Sequence, residues 1–251
     1  MQQEIGDKFQ AGFTLSVIAS TYSDLQDYPR ALEWYEKALT AHREVGNRAL
    51  EGVTLLQIGF VYVSQHKYDQ ALETRQQALP IFRELGLRWH ESLALSQIGN
   101  TYILKDDKER AVEFLQQSLA VQREINDSTS QLQTLGLIML LDDSKARNLS
   151  TKGLHSQART QATRVIKLAQ EVLTFAREEK NPEWEAEALS NLGSAYRILY
   201  DNDKAIEFLQ QAVNIARQIK ALQAESNALS ALGVIYSFQG DDHKVIELNK
   251  R

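Results

Sequence analysis

A chain of 251 residues, 43% hydrophobic and 24% charged, has the length and composition of a folded protein with a large buried core, not of a disordered one. It contains no cysteine, which excludes disulfides and thiolate metal sites, and no apolar run approaches the roughly 18 residues that a membrane span requires. A net charge of −5 gives no general attraction to nucleic acid or to an anionic membrane. The N-terminus lacks the basic-then-apolar layout of a secretory signal, so a cytoplasmic location is expected.

The first recognisable element is "LSVIASTY", starting at Leu15. It is echoed by "LLQIGFVY" from Leu55 and "LSQIGNTY" from Leu95, each forty residues after the last. A degenerate copy, "LGLIMLLD", begins at Leu135. After an interval fourteen residues longer than the period come "LSNLGSAY" from Leu189 and "LSALGVIY" from Leu229. In "LSQIGNTY" the apolar residues Leu95, Ile98 and Tyr102 fall on one helical stripe. The spacing predicts helices near 8–24, 48–64, 88–105, 128–142, 182–199 and 222–239. The small residue inside most copies (Ala19, Gly59, Gly99, Gly193, Gly233) marks where a neighbouring helix must come close, because a glycine there costs about 1 kcal/mol relative to alanine.

A short polar turn and a second amphipathic helix follow each copy, as in "YPRALEWYEKALTAHREVG". Gly46 and Gly86 read as left-handed helix stops, and Asn181-Pro182 as a cap and first-turn proline. Pro80 lies well inside one such helix, where a kink or local widening without a full break is expected. The fourteen extra residues place an insertion over 142–160. Residues 142–154, rich in Ser, Lys and Asn, predict a loop, with helix resuming near His155 and running to about Glu179.

Glu4-Ile5-Gly6 matches Glu44-Val45-Gly46, and "DDHKVIELNKR" matches the opening of "DNDKAIEFLQQAVNIARQ". Both ends therefore read as cut within a repeat. Residues 1–7 and 241–251 are then expected to be mobile or to pack on another copy, the alternative being natural fraying of the ends, and a catalytic or effector domain outside the chain stays open.

Catalytic motifs do not emerge. The five histidines are scattered without ligand spacing, and His42, within a second helix, is expected on its outer face. "NLSTKGL" has Lys152-Gly153 in the wrong order for a phosphate loop, and there is no GxSxG or GxGxxG. No enzyme activity, metal, cofactor or small-molecule substrate is expected. Between Ser144 and Lys167 lie six basic residues and no acidic one. That stretch is either a solvated linker or a surface for an acidic peptide, a membrane or RNA, and no aromatic residue is interleaved for base stacking.

The pattern Leu-x-x-(Ile/Leu)-Gly-x-x-Tyr, with Ala sixteen residues after the Leu and a second small residue seven further on, resembles the tetratricopeptide repeat. The period is forty instead of 34, no helix-ending Pro recurs, and Leu replaces the opening Trp. Long repeats of this kind are similar to those of kinesin-light-chain-like proteins, polarity adaptors, and arrays attached to bacterial signalling ATPases and caspase-like proteases.

The resemblance implies one all-α array over 1–251, a right-handed superhelical α-solenoid with first helices on its concave face, binding a protein or peptide. It places Val53, Leu56, Phe60, Val63 and Ser64 on that face from the second repeat, Leu93, Ser96, Asn100, Ile103 and Leu104 from the third, and Arg197 from the fifth. The expected partner site is Leu56, Phe60, Val63, Leu93, Asn100, Ile103 and Arg197. The bland reading is that such residues pack against second helices. Two further functions stay open: a regulatory segment of a larger bacterial signalling or protease protein, and nucleic-acid binding through 144–167.

Overall fold

The computed structural model describes residues 2–249, with side chains for 9–241 and 243–246. The expectation for the two ends, 1–7 and 241–251, falls in part on residues outside that set, namely residue 1, residues 250–251, and the side chains of 1–7, 242 and 247–251. The described residues form twelve helices and no strand. Two compact units divide the chain. In the first lie α1 (Gln2–Asp24), α2 (Tyr28–Glu44), α3 (Arg48–Ser64), α4 (Tyr68–Glu84), α5 (Arg88–Leu104) and α6 (Lys108–Glu124). The second holds α7 (Ser128–Thr151), α8 (His155–Glu178), α9 (Pro182–Ile198), α10 (Asn202–Gln218), α11 (Leu222–Gln239) and α12 (Asp242–Asn249). Odd-numbered helices are the first helices of hairpins, and even-numbered ones the second.

One local rule stops and restarts every helix. A residue with left-handed φ closes each turn at 26, 46, 66, 86, 106 and 126, twenty residues apart, then at 153, 180, 200, 220 and 240. The backbone N–H one residue later reaches back five residues, as Asn47 does to the His42 carbonyl at 2.8 Å and Lys67 to that of Tyr62 at 2.8 Å. At Asp27, Asn47, Asp107, Asp127, Asn181 and Asp201 the next residue's side chain then caps the following helix, accepting a backbone N–H three residues on. At those six turns three residues thus satisfy some of the orphan backbone groups of both helix ends.

Helices meet where the small residues predict. A Cβ built on Gly99 would lie 2.8 Å from Leu115, and one on Gly193 would lie 2.5 Å from Leu209. The position sixteen residues after Gly233, as Leu115 is after Gly99, is Asn249, whose side chain lies outside the described set. A second tie spans four of the five turns from a second helix to the next first helix, pairing Arg43 with Glu51, Arg83 with Glu91, Arg177 with Glu185, and Arg217 with Glu225 at 2.6–2.9 Å. Glu51 is buried, which opposes its ionisation. Hydrogen bonds from Arg43 and Arg48 outweigh that and hold its pKa below the usual carboxylate range.

Two expectations are corrected. His42 does not face outward: it is 1% exposed, with Nε2 3.3 Å from Ser16 Oγ. It continues the α2 stripe Ala31, Tyr35, Ala38, and Gly12 leaves the room for its ring, since a Cβ there would come within 2.9 Å of it. Residues 142–151 are not a loop. The helix α7 runs unbroken to Thr151, and only 152–154 turn. α7 and α8 have 24 residues each, seven more than the 17 of α9 and α10, so the insertion lengthens both arms of one hairpin equally. Ala146 is buried in the added length, Asp142 pairs with Arg164 at 2.6 Å, and Asp143 with Arg147 at 2.8 Å. Polar composition suggests a loop there, but the spacing of these few inward residues is helical. α8 itself spans the range expected for it. α4 continues through Pro80, which is exposed between buried Leu79 and Ile81.

Candidate protein-binding site

In the first unit, second helices spend their small and apolar residues on packing, and the outer faces of α1, α3 and α5 keep apolar residues that packing does not use. Phe60 is 53% exposed, Asn100 is exposed, and Val63, Leu93 and Ile103 are half-buried. Phe60 and Asn100 hold equivalent positions on neighbouring first helices. Leu56 is different. At 5% exposure it belongs to the core and supports this face from beneath instead of lining it. None of these residues lines a cavity described here. The concave opening in this unit, about 190 Å³, sits one repeat earlier between α1 and α3, against Phe13, Ser16, Val17, Ser20, Val53 and Gln57.

Arg197 lies in the second unit, where it is part of two openings. One, of about 340 Å³, is polar and includes Asp143, Arg147, Glu187, Asn191, Ser194 and Asn227. Burial pushes the Asp143 carboxyl above its usual pKa, against the pull of Arg147, the Ser194 hydroxyl and Arg197, while Glu187 pushes the same way as burial. Asp143 Oδ1 is buried without a hydrogen-bond partner. The Asn191 amide donates to the Glu187 carbonyl at 2.8 Å and to its Oε1 at 3.0 Å. The other opening, of about 370 Å³, is bordered by Ser150, Ile198, Tyr200, Asn202, Ile235 and Phe238. A further opening of about 680 Å³ along α11 shares Ser230 and Val234 with the polar one.

Amides, hydroxyls and the guanidinium groups of Arg147 and Arg197 suit hydrogen bonding to a peptide backbone or carboxylate. Among the described residues no group of three or more His, Asp and Glu side chains could hold a metal ion, and no helix is long and apolar enough to cross a membrane. The repeat resemblance also puts Asp143 on the face of the fourth first helix, outside the expected partner site, and in the sequence it belongs to the acidic pair that ends the apolar "LGLIMLLDD".

The family model described as tetratricopeptide repeat matches residues 10–84, 50–124 and 184–251. No curated protein matches the chain. Solved structures do. BtubC (BKLC) from P. vanneervenii aligns with a TM-score of 0.61 at 16% identity, covering 87% of this chain and 89% of that one. A putative kinesin light chain from Podosopora anserina with nearly identical TPR-like repeats gives 0.58 at 16%, covering 82% and 95%. YrrB, described as a TPR protein with an unusual peptide-binding site, gives 0.53 at 22%, covering 86% and 89%. At such identities the likeness is one of fold.

Proposed function

The chain belongs to the tetratricopeptide repeat family, and from that premise we propose that it is a protein-interaction scaffold whose first helices hold a segment of a partner. The observation that carries this reading is Phe60, a large apolar side chain left 53% exposed on a helix whose opposite face is fully packed. In the manner of a light-chain-type adaptor, an extended or helical peptide lies along α3 and α5, its apolar residues against Phe60, Val63, Leu93 and Ile103. Asn100 offers one donor and one acceptor to a single peptide unit. The peptide-binding description of YrrB supports a peptide as the form of the ligand.

The test is titration of peptides selected from a displayed random library on the purified chain. Phe60→Ala and Asn100→Ala are each expected to weaken binding by about 1–3 kcal/mol with helicity unchanged. Equal affinities for wild type and both variants would remove this face as the binding surface.

A further inference from the structure

The lengthened hairpin builds something that the other hairpins lack. A 17-residue helix starting at Ser128, like its neighbours, would end at Ser144. The seven added residues carry α7 about 10 Å further. Ser150 lies in that added length and forms one wall of the 370 Å³ opening, whose other walls come from the ends of α9 and α11. His155 Nδ1, at the start of α8, lies 3.5 Å from the Tyr200 hydroxyl and ties the hairpin tip to the end of α9.

Two aromatic rings at this opening are left in water. Phe238 is 85% exposed, while its counterpart one repeat earlier, Ile198, is buried. Tyr200 is 67% exposed and sits at the left-handed position of its turn, with φ +66°. The other turns carry Gly, Gln, His, Asp, Asn or Lys there. A bulky residue in that conformation is strained, yet the ring stays mostly in water.

One cation stands among the residues bordering the rings. Arg197 lines the opening and makes no ion pair among the described residues, while its charge also reaches Asp143 in the adjoining polar opening. Of the six basic residues between Ser144 and Lys167, Arg147 and Arg164 are paired with Asp143 and Asp142. Lys152, at the hairpin turn, and Arg159, one turn into α8, have no ion-pair partner among the described residues. On the acidic side, Asp201 caps α10 and pairs with Lys204 at 2.9 Å, which leaves Asp203 as the exposed acid of that helix start.

We infer that the opening between the long hairpin and the ends of α9 and α11 captures a peptide segment in which a Glu or Asp neighbours an aromatic or large aliphatic residue. The apolar side chain packs against Tyr200 and Phe238, and the carboxylate meets the planar fork of Arg197. A nucleic-acid strand is disfavoured, because only one cation among the described residues lines the opening and the whole chain carries −5. This site shares no residue with the face of α3 and α5, so it stands or falls independently of that reading.

The experiment selects dodecapeptides from a displayed random library on the intact chain and on its Phe238→Ala, Arg197→Gln double variant. Individual binders are then titrated at low and high salt. The expected result is a set of binders, enriched on wild type alone, with an acid beside an aromatic or large aliphatic residue. Each single variant should weaken them about tenfold, and added salt should weaken them further. Helicity by circular dichroism should match wild type, since both side chains are solvent-accessible. An enriched set without acidic bias, no enrichment, or binders indifferent to both variants would overturn the inference. So would a fluorescein-labelled oligouridylate that binds more tightly than the best peptide and is weakened by the same variants, which would assign the site to RNA.

Discussion

Arg75 stands at the second-helix position that holds Tyr35, Leu115 and Leu209 in the other repeats, and it is buried against Gly59. Its guanidinium donates to the Gln97 carbonyl at 2.9 Å and to the Thr101 hydroxyl, and burial pushes its pKa down to about 10. A buried cation held only by neutral acceptors costs desolvation that they do not fully return. Arg75→Leu is therefore expected to stabilise the chain by about 1–3 kcal/mol, read as a higher urea midpoint. The Gln97 carbonyl keeps the Thr101 hydroxyl as a donor, so no acceptor is stranded. His42 carries the opposite kind of charge penalty. Burial lowers its pKa below the ordinary 6.5, so below that pH the unfolded chain takes up a proton that the folded chain resists. Its contribution is present above about pH 6.5 and is lost as pH falls through the window beneath. In the next repeat Phe82 fills the same position against Gly52. His42→Phe should shrink the fall in Tm between pH 7.5 and 5.5. An unchanged fall would assign the acid sensitivity to other groups.

The turns set the geometry at the scale of elements. Gly86 has φ +66°, and a Cβ there would meet no atom within 4 Å, so Gly86→Ala isolates the conformational cost. It should lose about 1 kcal/mol. Lys220 holds the same backbone position with φ 58°, and Lys220→Gly should gain about 0.5–1 kcal/mol, offset in part by the freedom glycine adds to the unfolded chain. Paired thermal melts check both, and shifts of equal sign would show that something other than φ controls these turns. Only the glycine turns announce themselves in sequence. Gln26, His66, Lys180 and Tyr200 do the same work with no compositional mark beyond the residue that follows. The long hairpin was misread for a related reason: Ser, Lys and Asn between 144 and 152 look like a loop. What holds it helical is a sparse inward set, Asp142, Asp143 and Ala146, whose meaning depends on Arg164 and Arg147.

For the molecule as a whole, stability in a stack of hairpins is a sum of repeat and neighbour terms. The gain from Arg75→Leu should therefore appear as slower hydrogen exchange concentrated in α3, α4 and α5 and fading by α1. Uniform slowing throughout the chain would mean that the helices open only together.

The forty-residue period, the helix-hairpin class and the limits of most helices follow from sequence alone, because each depends on local spacing that repeats. His42 shows the limit of that reading: expected on the outer face, it is buried because the helix carries it into the room left by Gly12. Tertiary structure decided what spacing cannot. It buried Leu56 and left Phe60 exposed, although both stood on the same expected face. It also made one hairpin of the insertion and set Ser150, Arg197, Tyr200 and Phe238 around a common opening, although they come from three different repeats. Exposure and convergence depend on which neighbour a helix meets and at what height. A residue pattern along one chain does not encode that until the helices are packed.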